Sequence, residues 1–143
     1  MKRFWISIAA AAMSWPVAAQ DLALDDVERW LSGYQEAWET RDPAAAARLF
    51  TADARYFETP WSLPFDGRSA IADYWASVTA DQRDVEFEFE IVAVNAATAV
   101  ARWSAGFELA STGTAIALDG VFILEFETAE TVGELREWWV LKP

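Results

Sequence analysis

From Leu24 to Thr40 the apolar residues Leu24, Val27, Trp30, Leu31, Tyr34, Ala37 and Trp38 return at steps of three and four. That spacing predicts an amphipathic helix with one apolar face, and Asp21 or Asp25 is placed to cap its start. Asp42-Pro43 then reads as an N-cap followed by proline at the first helical position, opening a short helix from Ala44 to Phe50. Arg55-Tyr56-Phe57-Glu58 predicts a short strand closed by Thr59-Pro60. A third helix follows over Ser69–Ser77, with Ile71, Tyr74, Trp75 and Val78 at helical spacing.

Beyond that helix the period changes to two. Val85, Phe87, Phe89 and Ile91 alternate with Glu86, Glu88 and Glu90, the mark of a strand with one face in water. Ala99, Ala101, Trp103, Ala105, Phe107 and Leu109 form the next apolar row. After a turn at Ser111–Thr114 come Ile116, Leu118, Gly120, Phe122, Leu124 and Phe126, and a last strand covers about Gly133 to Leu141. Helices followed by four long strands predict an α+β domain, its antiparallel sheet curled over the helices. Gly106 and Gly120, in mid-strand, are read as bends that deepen the curl.

Composition narrows the chemistry. The chain has 143 residues, one domain's worth, with no cysteine and no histidine. Thiol chemistry, imidazole bases and the commonest zinc ligands are thereby excluded, so proton transfer falls to Asp, Glu, Tyr, Lys or water. No metal and no cofactor is expected. The first residues pair a basic start (Lys2, Arg3) with an apolar run from Phe4 to Val17 and small residues before Gln20. That layout predicts a cleaved signal at 1–19, a mature domain at 20–143, and secretion or a periplasmic location; an uncleaved anchor is the alternative. The formal net charge of −12 disfavours nucleic acid and anionic lipid as partners. Seven of the nine tryptophans follow the expected leader, more than a core of this size needs, and some are expected to line a cavity for an apolar ligand.

The amphipathic helix, the Asp-Pro-opened short helix, "LFTADARYFE", the proline-containing loop, "GRSAI" and the strand series together resemble the SnoaL-like branch of the nuclear transport factor 2 superfamily. The resemblance spans about Asp25 to Leu141 and implies a cone-shaped fold: a curved antiparallel sheet wrapped around three helices. Its known members include isomerases, cyclases, dehydratases, epoxide hydrolases and pure binding or assembly domains. Similarity to the ketosteroid isomerases implies a catalytic Tyr at Tyr34 and a carboxylate base at Glu58. The third isomerase group, a protonated Asp, falls on Phe122, which neither donates nor ionises.

Each candidate also has a plain structural reading. Glu58 can face solvent or pair with Arg55 or Arg68, and Tyr34 can seat its hydroxyl on a buried carbonyl. Trp61 and Phe65 are expected on a loop over the mouth of the cone. Trp103, Phe107 and Phe122 fall on inward strand positions. Trp138 and Trp139 are adjacent and must face opposite ways, with Trp139 the inward choice. Arg68 is expected to pair with Asp66, Asp73 or Glu58. An epoxide-hydrolase arrangement would need Asp66, Arg68 and Asp119 around one water. The expected function is binding of a small, mostly apolar organic molecule, with acid/base chemistry at Glu58 and Tyr34. The alternative is a non-catalytic assembly domain that forms a homodimer through its outer sheet face.

Overall fold

The computed structural model describes residues 21–143, so the expected leader at 1–19 lies outside the described residues. Helix α1, Leu24–Glu39, buries Val27, Trp30, Leu31, Tyr34, Ala37 and Trp38, the apolar face that its spacing predicts. Its cap is neither Asp21 nor Asp25. Ala23 takes the cap position, and the Asp26 carboxylate reaches back to accept from the Ala23 N–H at 3.3 Å. Helix α2, Pro43–Arg48, starts as expected, with the Asp42 carboxylate accepting from the Ala45 N–H at 2.9 Å. Helix α3, Arg68–Thr79, begins at Gly67, whose φ of 87° is a conformation that side-chain-bearing residues rarely adopt.

Six strands form one sheet: β1 Phe50–Phe57, β2 Phe65–Asp66, β3 Gln82–Asn95, β4 Thr98–Leu109, β5 Ala115–Phe126 and β6 Val132–Leu141. Their order is β2-β1-β6-β5-β4-β3. The four long strands form the antiparallel meander that their alternation predicts. Two features go beyond it. Strand β1 starts at Phe50 rather than Arg55 and runs parallel to β6, and the two-residue β2 pairs with it through Arg55–Asp66 and Tyr56–Phe65.

The inner face of the curved sheet closes on the helices to make a single core. At one end Trp30 packs against Phe50 and Phe126 and donates its indole N–H to the Leu49 carbonyl at 2.8 Å. Toward the middle, Phe87, Trp103 and Phe122 stack with interplanar angles below 30°. Gly120 has a more specific role than a bend. A Cβ built there would lie 2.5 Å from the Trp103 ring, so its missing side chain is the seat for that indole.

Candidate functional site

Beyond the aromatic stack, between the far ends of β4, β5 and β6 and helices α1 and α3, lies a cavity of about 300 Å³. Its walls are mainly apolar, including Trp38, Trp75, Trp103, Phe107 and Trp139, and among the described residues no Lys or Arg lines it. The polar side chains come from several elements: Tyr34 on α1, Tyr56 and Glu58 at the end of β1, Glu137 on β6 and Tyr74 on α3, with Gln82 at the start of β3.

Periodicity explains the convergence. Tyr56 and Glu58 are two residues apart, as are Glu137 and Trp139, so each pair shares the inward side of its strand. The parallel pairing of β1 with β6 sets Tyr56 opposite Leu135, which places Glu137 within reach of the tyrosine hydroxyl. The Tyr34 and Tyr56 hydroxyl oxygens are 3.0 Å apart, and Tyr56 Oη lies 3.0 Å from Glu137 Oε1. All three side chains are buried. The result is a hydrogen-bonded chain from α1 through β1 to β6.

Burial sets the electrostatics. The Glu137 carboxyl is pushed well above the ordinary glutamate range by desolvation, opposed by its hydrogen bond to Tyr56 and reinforced by the Glu58 charge. The Tyr34, Tyr56 and Tyr74 hydroxyls are raised in turn, first by desolvation and then by Glu137. The tyrosines are therefore neutral donors, in a cavity that has carboxyl groups and, among the described residues, no cation to balance them.

Of the residues singled out from sequence, Tyr34, Glu58, Trp103, Phe107 and Trp139 line this cavity. Trp139 does so from its rim, being partly exposed, while Trp138 points to the outer face. Phe122 is not in the wall; it is wholly buried one layer behind, packed on Tyr34 and Trp103. Phe65 stacks on Tyr74 at 4.2 Å, outside the lining. Trp61 does not line the cavity: it is 90% exposed on the turn closed by Ser62 and Thr59.

The charged alternatives resolve differently. Arg68 donates twice to the Phe50 carbonyl, at 2.9 and 2.6 Å, rather than pairing with Asp66, Asp73 or Glu58. Asp119 is held by Arg102 and Lys142 on the outer face, so the three epoxide-hydrolase residues do not meet. Arg55 pairs with Glu134, not Glu58. Among the described residues no group of three or more carboxylates is arranged to hold a metal ion, and no helix is long and apolar enough to cross a membrane.

Sequence reasoning passed over Tyr56 and Glu137. The signal was present: once Glu58 and Trp139 are turned inward, the residues two before each must follow them. Glu137 also stands opposite Phe122 across the β5–β6 ladder. A carboxyl group thus lies directly across the ladder from Phe122.

The architecture has many solved counterparts. A protein of ketosteroid isomerase-like fold from Catenulispora acidiphila, solved with trimethylamine, superposes with a TM-score of 0.67 at 18% identity, over 76% of this chain and 83% of that one. SalBIII, an epoxide hydrolase/cyclase-like enzyme of pyran ring formation in the polyether salinomycin, gives 0.70 at 17% identity, over 81% and 92%. A ketosteroid isomerase-like protein from Erwinia carotovora gives 0.65 at 21% identity, over 84% and 97%. At these identities the likeness is one of fold. No curated protein matches the sequence. The SnoaL-like domain model matches residues 27–132, from the first helix to the start of the last strand, and the chain therefore belongs to the SnoaL-like domain family.

Proposed function

We propose that this chain, exported as its basic-then-apolar leader implies, binds a small, mostly apolar organic molecule in the cavity and acts on it by acid/base chemistry of the isomerase, cyclase or dehydratase kind. The observation that carries this reading is the convergence of Tyr34, Tyr56, Glu58 and Glu137 in one apolar-walled space of about 300 Å³. A lining without Lys or Arg selects against anionic ligands, which would meet carboxylates and find no counter-charge. Glu58 takes a proton from the ligand, and a tyrosine hydroxyl donates to the oxygen on which negative charge develops. The fold's use in cyclisation by SalBIII is compatible with this chemistry.

The cavity wall reports its own occupancy, since Trp38, Trp75, Trp103 and Trp139 surround it. Titration with planar, uncharged carbonyl compounds is expected to change tryptophan emission saturably. A flat response across such a panel removes the binding reading. For any turnover found, Glu58→Gln is expected to lower the rate by about 10²- to 10⁴-fold, the range of general-base catalysis. An unchanged rate removes Glu58 from the mechanism.

A second reading has an observation of its own. Val121 and Trp138 are register partners on the outer sheet face and both are exposed, with Val140 beside them. Such a patch suits self-association as an assembly domain or as a dimeric binding protein.

A further inference from the structure

The chain Tyr34–Tyr56–Glu137 raises a question of direction, because two tyrosines have one proton each. With Glu137 ionised, Tyr56 must donate to the carboxylate over their 3.0 Å contact. Tyr34 then donates to Tyr56 across the other 3.0 Å contact and turns only lone pairs to the cavity. With Glu137 protonated on the oxygen that faces Tyr56, the carboxyl O–H can donate to Tyr56, Tyr56 can donate to Tyr34, and the Tyr34 proton is then free to meet a ligand. One proton at Glu137 thus makes every bond in the chain reversible.

We propose that Glu137 is the positioning residue of this site: its carboxyl proton directs the two tyrosines so that Tyr34 presents a hydrogen-bond donor to the cavity. The inference rests on the cavity being a ligand site, and it adds a residue that acts through Tyr56 rather than on the ligand. The surroundings keep the proton in place. From β1, Tyr56 and Glu58 face Glu137; from α1, Tyr34; from α3, Tyr74; and its partner on β5 is the non-ionisable Phe122. Among the described residues no Lys or Arg lines the cavity, and the Glu58 carboxylate there favours the neutral acid. Desolvation acts in the same sense.

Two measurements on the mature chain test this. Infrared difference spectra of the protein alone are expected to show a protonated carboxyl C=O band at neutral pH, lost in Glu137→Gln. No such band, or a band that survives in the variant, overturns the proposal. Acetophenone then serves as a probe that accepts a hydrogen bond. In the wild type its affinity falls about three- to tenfold, the worth of one neutral hydrogen bond, as pH rises through the loss of that band. In Glu137→Gln no proton titrates at this position, so the affinity is expected to be the same at all pH values. Tyr56→Phe breaks the chain and is expected to remove the pH dependence while the carboxyl band persists. A wild-type affinity that ignores pH, or a Glu137→Gln profile that tracks the wild type, overturns the proposal. If acetophenone binds at no pH, the cavity reading fails for this ligand class, and the carboxyl band alone decides for or against Glu137.

Discussion

Glu137 shows how a single side chain couples stability to the site. Its ordinary value is 4.5, and folding raises it, so between those limits the folded chain holds a proton that the unfolded chain releases. The stabilisation is therefore fully present below pH 4.5 and is lost as pH rises toward the folded value. Unfolding free energy is expected to fall by up to about 1.4 kcal/mol per pH unit in that window from this group alone. Asp26 and Asp119 shift the opposite way, lowered first by hydrogen bonds to Arg29 and Arg102, but both are at the surface and bear on lower pH. Urea unfolding of wild type and Glu137→Gln at matched pH values separates these contributions. The stability of the wild type relative to the variant should fall steadily as pH rises above 4.5. A constant difference would mean that Glu137 is ionised in both states.

At the scale of elements, the β4–β5 ladder depends on Gly120 more than its place in mid-strand implies. Gly120 faces Trp103 in register, and a methyl group would sit 2.5 Å from the indole and 2.7 Å from the Trp138 carbonyl. The ring is flanked by Phe87 and Phe122, and the carbonyl belongs to the next strand, so neither gives way easily. Gly120→Ala is expected to cost about 1–3 kcal/mol by overpacking, measured as a lower urea midpoint with an unchanged slope. An unaltered midpoint would show that the stack is looser than it looks. The same position illustrates what a sequence reveals. Alternation marks Trp103, Phe122 and Trp139 as inward because side-chain direction follows the period within each strand. It says nothing of what lies across the ladder, so Gly120 reads as a bend and not as a ring seat. The parallel union of β1 with β6 is hidden for the same reason: its partners are some eighty residues apart and share no local period. Without that pairing, Tyr56 and Glu137 are two unrelated residues. Tyr34 and Glu58 emerge earlier only because the family resemblance carries long-range information that periodicity lacks.

For the molecule as a whole, the two faces of the sheet have different tasks. The inner face is committed to the core and the cavity, while most of the outer face is charged, with Glu86, Glu88 and Glu90 exposed on β3 and Asp119, Arg102 and Lys142 paired beside β6. Against that background Val121, Trp138 and Val140 form an apolar island, the part of the outer face that gains most by being covered. A twofold contact through this island would place each copy's Trp138 near the other's, and the interspersed ion pairs would rim it. The net charge of −12 opposes association, so salt should strengthen the dimer by screening. Sedimentation equilibrium is expected to show a concentration-dependent dimer that tightens with added salt. Trp138→Lys should yield a monomer with an unchanged circular dichroism spectrum, because the side chain it replaces is 41% exposed and outside the core. Ligand titration on that monomer then separates the two functional readings. Retained binding means that the cavity works within one chain and that dimerisation is a separate property. A wild-type protein that stays monomeric at high concentration and high salt removes the outer face from the account and leaves the cavity to carry the function.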